Sequence, residues 1–447
     1  MFSKQKQIVL LVALFLSGTL FSEAQEPQKL SLKEAVIMAM QYNTSMMNSK
    51  LDLEIAHKKI WETTAMGLPH VDITSAYTFL PKVPSIPANV FDPNAPEGQM
   101  MELGVKNQIT GDLTASQLIF NGAYIVGLQA TKVYYDLTLQ NNEKTKLDVI
   151  ESVINTYHMI QITEEGRKIL SQNLDNIQKT LYEIGEMNKQ GFVEKTDVDQ
   201  LEVTANGVRN AISQIDSNLE MAYRLLKIQL GMQENGSIQL ADELESNDSL
   251  TVSSLALVNE SFTLEKNVDY QLVQTAQKVA KLNYKLAKSD YLPVLNGYYR
   301  HTEKLKAPFF DFAPKDVLGI NLSLPIFSSG ERSSKVAQKK YEVEKSENTR
   351  VFVSNSLIMQ ANQYQSDLKI KLDKLQIQKK TKDLSDQIYQ STLEKYKEGL
   401  ATSTDLLTAQ NQYLSNLTIY YQNIGDVLTA KSKLEKLFNI NQDYTVQ

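Results

Sequence analysis

The chain has 447 residues, 42% of them hydrophobic, with a mean hydropathy of −0.30, one tryptophan and a formal net charge of −6. That balance supplies apolar residues for narrow helical seams but is lean for several thick globular cores, and it gives a nucleic-acid partner no electrostatic support. The absence of cysteine excludes disulfides, thiolate metal sites and cysteine nucleophiles.

The first residues read as an export signal. Lys4 and Lys6 form a basic start, Ile8 to Leu16 an apolar core, and Ser22-Glu23-Ala24 a small-x-small cleavage site before Gln25. Residues 1–24 are therefore expected to be removed as a signal peptide, leaving an exported chain of net charge −7. No later run of roughly 18 apolar residues exists, so any crossing of a bilayer must be made by strands.

Prolines divide the rest. Eleven are present, and residues 97–292 and 326–447 contain none. Proline costs about 3 kcal/mol inside a helix, so long helices are expected in those two gaps. Residues 31–67 read as a helix, with Ser31 as cap and Glu34 at the capping-box position. Leu68-Pro69 ends it, and the period changes to two. Val71, Ile73, Tyr77 and Phe79 alternate with Asp72, Thr74 and Thr78. A proline-rich loop spans 81–105, and alternation resumes with Ile109, Leu113 and Ala115 opposite Thr110, Asp112, Thr114 and Ser116. Two strands, at about 70–80 and 107–119, are expected, each with one apolar face.

From Gly122 a helical pattern continues to about Gln190, a length of roughly 100 Å at 1.5 Å per residue. Leu170, Leu174, Ile177, Leu181 and Ile184 keep 4-3 spacing along it. After Gly191 a second helix carries Val198, Leu201, Ala205, Val208, Ile212, Ile215, Leu219, Ala222 and Leu226 at strict 3-4 spacing, the 3.5-residue repeat of a supercoil.

Residues 231–258 form a polar connector, and then the programme restarts. A helix is expected over 259–290, Leu292-Pro293 repeats Leu68-Pro69, and strands follow at about 294–304 and 317–326. A long helix covers about 330–398, and its partner, with Leu414, Leu417, Tyr421, Ile424 and Leu428 in its seam, runs to 438. A short tail, 439–447, closes the chain. Phe120 precedes Gly191 by 71 residues, and Phe327 precedes Gly399 by 72. So close a register marks an internal duplication, with repeats at 25–230 and 259–438.

The two helix turns share a Gly-x4-Thr-Asp frame: Gly191 to Thr196-Asp197, and Gly399 to Thr404-Asp405. Glycine suits the left-handed residue closing one helix, and Thr or Asp the cap opening the next. Phe192, Val193, Leu400 and Ala401 place apolar side chains at these tips, where they need a reason. Four strands cannot close a barrel, so closure requires several chains. No P-loop, Gly-x-Gly-x-x-Gly, His-Glu-x-x-His or Gly-x-Ser-x-Gly motif occurs, and His57, His70, His158 and His301 are scattered without ligand spacing. An enzyme or a bound cofactor is not expected. A trimeric adhesin or structural stalk is the rival reading, but it would not need strand pairs interrupting each repeat.

In the order of its elements, both turn motifs, the Leu-Pro before each strand pair and the Ile-Phe after it, the sequence resembles the TolC-like outer-membrane factors of efflux and type I secretion systems. The resemblance covers nearly the whole mature chain. It implies a mainly α, α+β membrane protein of the Gram-negative outer membrane: a homotrimer with a 12-stranded barrel set in outer-membrane lipid, and a periplasmic helical tunnel belted by a mixed equatorial region. Its implied partners are a periplasmic adaptor protein, met at Gly191, Phe192, Val193, Gly399, Leu400 and Ala401, and an inner-membrane pump of RND, ABC or MFS type. By resemblance the tunnel closes near the tips. Tyr396 matches a tyrosine that, with the first-tip acid at Thr196-Asp197, links neighbouring hairpins, and Asp405 matches an acid ringing the constriction. The chain departs from TolC at Ala401, where a gating arginine is expected, and at Thr408, where a second acidic ring is expected, so a weaker or hydrogen-bonded closure is anticipated in place of a charge-linked latch. Relatives anchored by lipid carry a cysteine at the mature N-terminus, and this chain has none.

Overall fold

The structure, a computed structural model, describes residues 28–91, 93–233, 236–306 and 311–440. The stretch 1–24 expected to be a signal peptide, Pro308 and residues 441–447 of the tail lie outside the described residues. Two compact units emerge, and each draws on both halves of the sequence. One comprises residues 49–143 and 268–357; the other comprises the described parts of 1–48, 144–267 and 358–447.

The elements run in order β1 (Gln28–Leu30), α1 (Leu32–Tyr42), α2 (Thr44–Ala65), β2 (His70–Phe79), β3 (Ser85–Pro87), β4 (Met100–Glu102), β5 (Asn107–Asn121), α3 (Gly122–Lys189) and α4 (Lys195–Gln229). Then follow β6 (Ile238–Leu240), α5 (Asn247–Val258), α6 (Val268–Ser289), β7 (Val294–Lys304), β8 (Asp316–Ser323), α7 (Glu331–Lys397) and α8 (Ser403–Phe438). Among the described residues no helix is long and apolar enough to cross a membrane.

In the first unit four strands form an antiparallel sheet in the order β2-β5-β7-β8. Residues directly opposite share a face. The register sorts most side chains by chemistry, with Gln117, His301, Glu303 and Asp316 among polar members of the apolar face and Leu118, Tyr298 and Val317 among apolar members of the polar one. One face carries Val71, Ile73, Tyr77 and Phe79 of β2, Ile109, Leu113 and Ala115 of β5, Tyr299 of β7, and Leu318, Ile320 and Leu322 of β8. The opposite face carries Asp72, Thr74, Thr110, Asp112, Thr114, Ser116, Asn296, Arg300, Thr302, Asn321 and Ser323. Ile73, Leu318 and Ile320 are 79%, 84% and 73% exposed, so much of the apolar face is left open by the described residues. The Tyr298 ring occupies the space above Gly319, where a Cβ would stand 2.7 Å from it.

The second unit is built on helix seams. The α4 positions spaced at 3-4 are the buried ones: Leu201, Ala205, Val208, Leu219, Ala222 and Leu226. Its largest cluster gathers Leu30, Val36, Ala39 and Met46 against Ile150, Val153, Ile154, Tyr157, Leu226 and Leu230. The Tyr157 hydroxyl donates to Leu30 O at 3.0 Å, and Leu32 N donates to Asp242 Oδ2 at 2.7 Å, tying the chain start to the connector.

Four features differ from the sequence expectation. The helix expected over 31–67 is two helices. Asn43 takes an extended backbone between them, donates to Gln229 O at 2.8 Å and accepts from Ser45 N at 2.9 Å, so its amide ends one helix and starts the next. The connector 231–258 is structured: β6 pairs in parallel with β1, and α5 opens on a Ser246 cap. The loop 81–105 holds the short antiparallel pair β3–β4. The helix expected from 259 begins only at Val268, because Asn267 is extended and its amide is held by Leu437 O at 2.9 Å.

Candidate functional site: the two hairpin tips

Both turns close by the same backbone device. In the first, Phe192 N donates to Met187 O and Gly191 N to Asn188 O, at 3.0 and 2.9 Å. In the second, Leu400 N donates to Lys395 O and Gly399 N to Tyr396 O, at 2.8 and 3.0 Å. These paired bonds define a Schellman ending and need a left-handed residue, which Gly191 (φ 82°) and Gly399 (φ 74°) supply.

The helix starts then diverge, and one residue type causes it. In the second tip Thr402 is the cap. Asp405 N donates to Thr402 Oγ1 at 3.1 Å, and Thr402 N donates to Asp405 Oδ2 at 3.0 Å, a complete capping box. Hydrogen bonds from the Thr402 hydroxyl and backbone hold the Asp405 carboxyl below the usual carboxylate range. In the first tip the equivalent cap is Glu194, which makes no side-chain cap bond. Asp197, equivalent to Asp405, therefore has no box to complete. It reaches the other tip instead, accepting a hydrogen bond from Ser403 Oγ. Thr196 Oγ1 donates to Glu194 Oε2 at 3.2 Å.

A second link joins the hairpins where Lys397 Nζ lies 3.0 Å from Glu183 Oε2. Tyr396 packs on the cluster of Tyr389, Leu406 and Ala409. Its hydroxyl is buried without a hydrogen-bond partner, and burial first, then the nearby Asp197 charge, pushes its titration upward. Between the tips lies a cleft of about 600 Å³, lined by Ile184, Met187, Phe192, Val193 and Ala401 among others, with Glu183, Glu194 and Asp197 at its walls. Phe192 and Leu400 are 75% and 73% exposed. Thr408 Oγ1 donates back to Thr404 O at 2.8 Å.

The structure thus gathers Asp197, Tyr396, Ala401 and both glycines at one site and gives Asp405 a capping role. Ser403, the residue that joins Asp197, was not legible in sequence. Its partner lies 206 positions away, and serine beside a threonine cap reads only as a helix start.

Residues 261–439 match the family described as outer membrane efflux protein. No curated protein matches the chain. Among solved structures, the outer membrane protein VceC of Vibrio cholerae superposes with a TM-score of 0.71 at 14% identity, over 91% of this chain and 95% of that one. The CmeC outer membrane channel of Campylobacter jejuni gives 0.72 at 17%, over 91% and 85%. The open state of the MtrE outer membrane channel of Neisseria gonorrhoeae gives 0.66 at 14%, over 91% and 88%. The family match is confined to residues 261–439, less than half of the chain, while the chain as a whole has the fold of these outer-membrane channels.

Proposed function

We propose that this chain is the outer-membrane channel of a tripartite efflux pump or type I secretion system, and that it conducts substrate passively through a homotrimer. The observation that carries this reading is the sheet with one apolar face, one polar face and two open edges. In a bilayer every unpaired edge N–H and C=O costs several kcal/mol, so open edges must be closed. The strands alternate in direction, so β8 of one copy meets β2 of the next in antiparallel sense. Three copies then give a 12-stranded barrel with the apolar face towards lipid and the polar face towards a wet lumen. A solid stalk has no use for a polar inner face.

In this reading the hairpins form the tunnel wall, and their tips form both its constriction and the contact for a periplasmic adaptor, which links the channel to an inner-membrane pump. Asp197 with Ser403 and Glu183 with Lys397 are the links that hold the tips, and they replace the arginine absent at Ala401. The exposed Phe192 and Leu400, with Val193 and Ala401, are the apolar surface offered to the adaptor. The two halves, with breaks near 25–230 and 259–438, are read as copies of one ancestral unit. The test is single-channel recording with purified trimer in planar bilayers. Discrete conductance steps are expected, and a trimer that inserts without carrying current contradicts the reading.

A further inference from the structure

Leu118 and Tyr298, two of the apolar residues on the polar face of the sheet, stand together. Tyr298 opposes Ser116 and Gly319, Leu118 opposes Asn296, and Asn296 opposes Asn321, so they fill two adjoining rows at the end of the sheet nearest the helices. The end of α2 and the start of α3 complete a recess of about 940 Å³ there. Glycine sets both of its aromatic walls. The Tyr298 ring lies over Gly319, and the Tyr124 ring lies so close to Gly67 that any Cβ there would collide with it. The Tyr124 hydroxyl donates to Thr64 O at 3.1 Å, which fixes that ring. Two lining amides hold the frame: Gln117 Nε2 donates to Gly67 O at 2.6 Å, and Asn121 Oδ1 accepts from Ala123 N at 2.8 Å. Two others are free, since the side chains of Asn296 and Asn321 have no hydrogen-bond partner among the described residues. No Asp, Glu, Lys or Arg lines the recess. The next charges along that face, Asp72 and Arg300, share one row with Thr114 between them and are opposite in sign.

We propose that this recess is a binding station on the channel wall for uncharged, planar aromatic molecules that carry a hydrogen-bonding group. The proposal rests on the reading that the polar face lines the lumen, where cargo leaving the helical tunnel meets the base of the barrel. A flat ring laid on an aromatic wall stacks on it and removes apolar surface from water. The recess has the size of a small-molecule site. The free amides of Asn296 and Asn321 both donate and accept, so they suit a neutral hydroxyl, carbonyl or amide. An ionised ligand would give up hydration and find no counter-charge in the recess to replace it.

Equilibrium dialysis of the purified trimer, corrected for uptake by empty micelles, compares three ligands that share one ring system: naphthol, naphthalenesulfonate and naphthylmethylammonium. Naphthol is expected to bind on the order of tenfold tighter than either ion. Tyr298→Leu removes a stacking face and should weaken naphthol roughly fivefold. Asn321→Arg, at an exposed position on β8, should turn the preference towards the sulfonate. Equal binding of the three ligands by wild type overturns the proposal, and so does a preference that neither substitution moves. If Tyr298→Leu fails to assemble, Asn321→Arg decides on its own. A trimer that binds naphthol selectively but carries no current contradicts the channel reading alone, and one that conducts without selective binding overturns the recess alone.

Discussion

Asp197 and Asp405 occupy the same place in the duplicated turn and do different work. The difference comes from the cap three residues earlier: Thr402 can exchange bonds with Asp405, whereas Glu194 makes no such bond. Ser403→Ala removes the donor to Asp197 while leaving the Thr402 box intact. It is expected to raise basal conductance severalfold without changing trimer yield, and conductance equal to wild type would reject the link. Asp405→Asn keeps an acceptor for Thr402 N but removes charge. If three copies face the lumen, cation preference should fall, and an unshifted reversal potential in a salt gradient would rule that role out. The sign with acid follows from the lowered titration of Asp405. Its contribution to the helix start is present above the ordinary Asp range and is lost as pH falls through its own lower value. The second tip should therefore fray in acid, and the Asn variant should not show this dependence.

At the scale of elements, periodicity in the sequence was legible wherever an element is long and its environment uniform. The alternation at Val71–Phe79 and the 3-4 spacing at Leu201–Leu226 correspond to the sheet face and the buried seam seen in the fold. The missed features are short or depend on distant partners. Three residues of β1 cannot show a period, and their pairing with β6 joins positions 210 residues apart. Asn43 reads as an ordinary mid-helix residue until Gln229 O appears beside it. The second tip offers a clean test of the Schellman ending, since no atom lies within 4 Å of a Cβ built on Gly399. Gly399→Ala should then cost about 1 kcal/mol through backbone strain alone. Hydrogen exchange at Leu400 should quicken, and Gly399→Asn, which tolerates the left-handed region, should recover much of the protection. Equal exchange in the Ala and Asn variants would show that the strain is not what matters.

For the whole molecule, the sheet-bearing unit has open edges as a single copy. Among the described residues the outer edges of β2 and β8 have no strand partner, and the apolar face of the sheet is largely exposed. A closed barrel therefore requires copies to join edge to edge, β8 of one to β2 of the next. Within one chain these strands are the two outer members of the sheet, three strand spacings or roughly 14 Å apart. The direct measurement places cysteines at Ile73 and Leu318, one on each edge and both on the apolar face, in a chain that otherwise has none. Native outer-membrane vesicles are then treated with a short bifunctional maleimide. Covalent dimers and trimers, with nothing larger, are predicted when both cysteines are present, and both products should be lost when either is reverted. Monomer alone, or a ladder continuing past the trimer, would contradict the closed three-chain barrel.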